Sequence, residues 1–149
     1  MDNTQAISTL NSLIETLKDG EEGFRTAADG LTDPQTKALF QQFSRERAQM
    51  AQELQAEVRT LGGDPEKAGS MSGSVHRGWI NIKSAVTGKN DASIIAEAER
   101  GEDIAKKAYE EALQAALTPS ASAVVSRQAV KVRAAHDAVR SLERALTGR

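Results

Sequence analysis

Four residues of this chain carry the types that could do chemistry: Glu21, Glu53, Glu102 and His136. With no Cys in the sequence, carboxylates and imidazoles are the side chains left to hold a metal. A binuclear carboxylate centre in a helical bundle draws one Glu from each of two helices and a Glu-x-x-His from each of the other two. The spacing of three places both ligands of that motif on one helix face. No Glu-x-x-His occurs here, and there are only two histidines. The nearest approach is Arg133-x-x-His136, in which an arginine stands where the Glu would be. A fixed cation there opposes a bound dication and pairs instead with a nearby acid. The expectation is therefore a polar core network in which Glu102 bonds to Arg133, to His136 or to both. No cofactor is expected. The alternative is a reduced site for iron or another divalent metal built from Glu21, Glu53, Glu102 and His136.

The elements that must position these residues are helical. The chain is rich in Ala, Leu, Glu, Lys, Arg and Gln, which lose little on entering a helix. Ile7, Leu10, Ile14, Leu17, Glu21, Phe24, Ala28 and Leu31 recur at steps of three and four, predicting a helix over 4–30. Asp33-Pro34 is a cap followed by a first-turn proline, and Leu39, Phe43, Met50, Leu54, Val58 and Leu61 carry a second helix over 34–62. Asp91 opens a third, over 91–117, on Ile95, Ala98, Glu102, Ala105, Tyr109, Ala112 and Ala116. Thr118-Pro119 repeats the start signal for a fourth over 119–147, striped by Val125, Gln128, Val132, Ala135, Val139, Leu142 and Leu146. Each helix is about 40 Å long.

Residues 63–90 break this pattern with Gly, Ser and Pro, yet Val75, Trp79, Ile82 and Val86 keep helical spacing. This connector is long enough to run the length of the bundle and holds a short helix of its own. His76 and Trp79 are the residues expected to anchor it. Two antiparallel hairpins joined by one long crossover are the ferritin-like form of the four-helix bundle. The fold class is thus all-α, a ferritin-like four-helix bundle in one domain over 1–149. A short echo, Asp19-Gly20-Glu21-Glu22 against Arg100-Gly101-Glu102-Asp103, fits a repeated hairpin.

Composition narrows the function classes. With 19 basic and 21 acidic residues the net charge is −2, which is no electrostatic footprint for nucleic acid. No run of about 18 apolar residues is present to span a membrane, and the first residues have no signal-peptide pattern. There is no phosphate-binding glycine loop and no nucleophile elbow. The Ala-rich third helix is thin-sided and leaves room for close packing, including against a second chain.

Leu17-Lys18-Asp19-Gly20-Glu21-Glu22-Gly23-Phe24, Gly73-Ser74-Val75-His76-Arg77-Gly78-Trp79, Glu99-Arg100-Gly101-Glu102-Asp103 and His136-Asp137 together resemble the bacterial ferritin-like family known as domain of unknown function 2383. The resemblance implies a ferritin-like bundle in a bacterial cytoplasm and no particular reaction. The expected role is that of a non-catalytic, stress- or interaction-type protein, a homo-oligomer of two or more chains.

Overall fold

The computed structural model describes residues 3–66, 79–88 and 90–146. Helix α1 runs from Thr4 to Gly30 and α2 from Pro34 to Thr60. A short α3, Ile82–Thr87, precedes α4, Asp91–Leu113, and α5, Pro119–Leu146. The local chemistry explains most of these boundaries. The Asp33 carboxylate accepts from the Thr36 backbone N–H at 2.9 Å and its hydroxyl at 2.6 Å, and Pro34 needs no partner for the N–H it lacks. α2 stops where Gly62 takes a φ of 86°, which lets Gly63 N–H return to the Val58 carbonyl at 2.9 Å. Asn90 caps α4, and the Thr118 hydroxyl accepts from Ala121 N–H. α4 ends at Leu113, four residues short of the expected 117.

α1 packs on α2 and α4, and α5 packs on α4 and α2, so α2 and α4 face each other across a diagonal. At one end, Asp91 accepts from the Thr32 backbone N–H and hydroxyl and from Asp33 N–H, tying the first turn to the start of α4. At the other end, Ser120 donates to Glu57. The crossover therefore leaves α2 at one end of the bundle and enters α4 at the other. α3 rests on α1 and α4 along the way. Among the described residues no helix is long and apolar enough to cross a membrane.

The core divides into two apolar clusters. One gathers Leu10, Ile14, Leu17, Met50, Leu54, Val58, Tyr109 and Val125, and the other Phe24, Phe40, Phe43, Trp79, Ile82, Ile94, Ile95 and Val139. Along α1, α2 and α4 the stripe passes from one cluster to the other across a single break, while on α5 it steps directly from Val132 to Ala135. In α1 that break holds Gly20, in α2 Arg47, in α4 Glu102.

Candidate functional site

At the break between the clusters, Arg47 of α2 reaches across the diagonal to Glu102 of α4. Its Nη1 donates to Glu102 Oε2 at 2.8 Å and its Nη2 to Oε1 at 2.5 Å. Both residues are buried, Arg47 at 2 % exposure and Glu102 at 0 %. A planar fork matched to a carboxylate is the geometry in which an interior ion pair compensates best for lost water. Burial pushes the Arg47 guanidinium down, but Glu102 outweighs it and holds the guanidinium above its ordinary value. The Phe24 ring lies under the guanidinium, with its centroid 5.3 Å from Cζ. On α1, a Cβ at Gly20 would stand 3.0 Å from Arg47 Nη1, so the missing side chain is what admits the guanidinium.

A second buried polar chain lies about two turns along α4. The Tyr109 hydroxyl donates to Gln128 Oε1 at 2.8 Å, and Gln128 Nε2 donates to the Met50 carbonyl and to Glu53 Oε1. Burial holds the Tyr109 phenol well above its ordinary value. Glu53 is also approached by Arg127 at 3.4 Å.

The expected Glu102–Arg133–His136 network does not form. Arg133 is 64 % exposed in its side chain and lies 3.7 Å from Glu110. The inward places of α5 around it are taken by Val132, Ala135 and His136, which turns Arg133 to the outer face. His136 is buried, but its Nε2 meets Asp103 at 2.6 Å and its Nδ1 meets Asp137 at 3.2 Å. It thus reaches the residue beside Glu102 instead of Glu102 itself.

Glu21, expected on the inward stripe, is half-buried, and Gly20 holds the inward place. The Glu21 contribution to the bundle is its carbonyl, which accepts from Ser44 Oγ at 2.7 Å. Glu21, Glu53, Glu102 and His136 are not brought together: among the described residues no three His, Asp or Glu side chains form a group that could hold a metal ion. The residues present do not fit a carboxylate-bridged metal pair either, because both oxygens of the most buried acid are taken by a guanidinium.

Trp79 packs edge-on against Phe24, ring centroids 5.0 Å apart, and is 9 % exposed. It fills a slot over α1 and α4 where a Cβ at Gly23 would come within 2.2 Å of the indole and one at Gly101 within 2.4 Å. Asn81 N–H donates to the buried Glu97 carboxylate and fixes the next step of the connector. His76, the other expected anchor, lies outside the described residues.

Arg47 is the residue that sequence reasoning missed. Its signal is a gap: the α2 stripe jumps seven residues from Phe43 to Met50, and the unfilled place at the next helical step is Arg47.

The model of one family, described as a domain of unknown function, DUF2383, matches residues 5–115. The chain belongs to that family. The DUF2383 match contains Gly20, Arg47, Glu102, Gly23, Trp79 and Gly101, and it leaves α5 outside. No curated protein matches the chain.

Proposed function

We propose that this chain is a non-catalytic, ferritin-like bundle of the bacterial cytoplasm that acts through its surface. The observation that carries this reading is the Arg47–Glu102 pair. In a metal-handling bundle, interior carboxylates are held open for a cation from solution; here the chain's own guanidinium engages both Glu102 oxygens at 2.8 and 2.5 Å. The cation is covalent and does not exchange. A reduced metal site from Glu21, Glu53, Glu102 and His136 would need Arg47 to withdraw from the core and leave its own charge uncompensated.

For a protein that acts through its surface, the partner proposed is a second copy of the chain, in keeping with Leu113 and Val130, which stand 43 % and 70 % exposed on the outer side of α4 and α5. A stress-related role is consistent with such a scaffold and rests on the resemblance to ferritin-like proteins.

Elemental analysis of chelator-free protein, before and after anaerobic Fe(II) loading, tests the central statement. Sub-stoichiometric metal in both samples is expected. A di-iron complement per chain, with oxidase turnover lost in Glu102→Ala, would overturn it.

A further inference from the structure

We propose that the outer groove between α4 and α5 is closed by the same groove of a second copy, the two lying antiparallel about a twofold axis at Val130. The pairing rests on the reading that the chain acts through its surface on a second copy, and it fixes the face and the direction. The groove, 280 Å³ in volume, has Tyr109 and Val132 at its floor and Leu113 and Val130 on its walls. Of the four large apolar side chains exposed among the described residues, two therefore stand here. Ser126 and Ala129 keep the α5 wall short around Val130, so a second helix can approach closely.

The charges beside the groove select the occupant. Along α4, Lys106 and Lys107 precede Glu110 and Glu111, so the sign changes within about one turn. The Tyr109–Gln128 and Asp103–His136 contacts set the middle of that stretch, Ala108, at the level of Val130. Two antiparallel copies with their axis at this level bring the lysines of each toward the glutamates of the other, twice over. Parallel copies would bring like charges together. Glu110 can turn outward, because Arg133 stands 3.7 Å from it, too far for a hydrogen bond, and both side chains are more than half in solvent. The other charges near the rim have partners within the chain: Asp103 and Asp137 face His136, and Arg127 faces Glu53 on the α2 side.

A partner of one charge sign would meet both signs within one turn of α4, whereas a second copy meets its own pattern reversed. The face is used up in the pairing, so assembly through it stops at two chains.

The chain contains no Cys, so a single introduced thiol reports on the axis. On mild oxidation of the full chain, Val130→Cys should form a covalent dimer, because residues at a twofold axis bring their Cα atoms within the ~7 Å that a disulfide spans. Ile80→Cys, on the connector and 71 % exposed against 70 % for Val130, should crosslink far more slowly. In sedimentation equilibrium the wild type should be a dimer, and Glu110→Lys and Lys107→Glu should each raise its Kd by about tenfold or more. An equimolar mixture of these two variants should recover a tight heterodimer, since each then offers the charges the other lacks. Circular dichroism confirms that each variant is folded. A wild type that stays monomeric overturns this proposal together with the choice of a second copy as partner. A dimer in which Val130→Cys crosslinks no faster than Ile80→Cys overturns the groove alone and leaves that choice standing. A mixture no tighter than its separate components overturns the antiparallel order, and the proposal with it.

Discussion

Arg47 and Glu102 come from helices that barely touch, yet they meet at the centre of the bundle through two parallel hydrogen bonds. The contact measures the bundle's width, since a guanidinium on a long stem is what spans a diagonal between α2 and α4. It also sets their relative height, because a slip of either helix by one turn, about 5.4 Å, would place one charge against apolar neighbours.

Removing one partner should therefore cost more than removing both. Glu102→Ala or Arg47→Ala strands a buried charge and should destabilise by about 3–5 kcal/mol. The double variant Arg47→Met with Glu102→Leu should recover most of that loss. Urea unfolding of the single and double variants measures the coupling. Additive effects would mean that the two charges do not depend on each other.

Gly23 and Gly101 make a prediction whose sign is informative. Gly→Ala within a helix ordinarily stabilises by about 1 kcal/mol. Here the new Cβ would overlap the Trp79 ring, which must move away from both helices. Either substitution should instead destabilise by about 1–3 kcal/mol and shift tryptophan emission to the red. A more stable protein with unchanged emission would contradict the packing.

Trp79→Ala should cost about 3–5 kcal/mol, because it empties the slot that Phe24, Gly23 and Gly101 surround. A melting temperature equal to wild type would show that the connector adds nothing to the bundle.

Tyr109→Phe keeps the ring and removes the donor to Gln128, whose Oε1 is then left buried without a partner. A loss of about 1–2 kcal/mol is expected in chemical denaturation. Gln128→Leu should cost at least as much, since it also frees the Met50 carbonyl and the Glu53 contact.

Asp91 should govern part of the acid response. Burial pushes its carboxyl up, but hydrogen bonds from Thr32 and Asp33 outweigh this and hold it below the ordinary range. A group lowered in this way stabilises above its unfolded value and loses that contribution as pH falls through the folded one. Asp91→Asn should flatten the fall in melting temperature between about pH 5 and pH 3. An unchanged acid profile would assign the response to other carboxylates.

The helices were legible in the sequence because each boundary has local chemistry: Asp33-Pro34, Thr118-Pro119 and the glycines after α2 act over a few residues. The site was legible only in part. Glu102 could be singled out as an acid on an apolar stripe, and burial then demands a partner. The partner's identity depends on which helices lie across the diagonal, and that lateral order is set by packing of all four long helices. Counting residues across the α4–α5 turn led instead to Arg133 and His136. That count fixes a level along the axis but not which of several consecutive side chains turns inward. Gly20 and Arg47 were hidden for a related reason, since neither is apolar and the space one leaves is what the other fills.

The slot that holds Trp79 bears on the order of folding. Each hairpin can close through contacts near in sequence, but the floor of the slot needs Gly23 from one hairpin and Gly101 from the other. It does not exist until the two have met. Docking of the crossover is then a long-range event that follows helix formation. In a refolding experiment, the emission of this single tryptophan should lag behind the helical circular dichroism signal and report the moment at which two hairpins become one core.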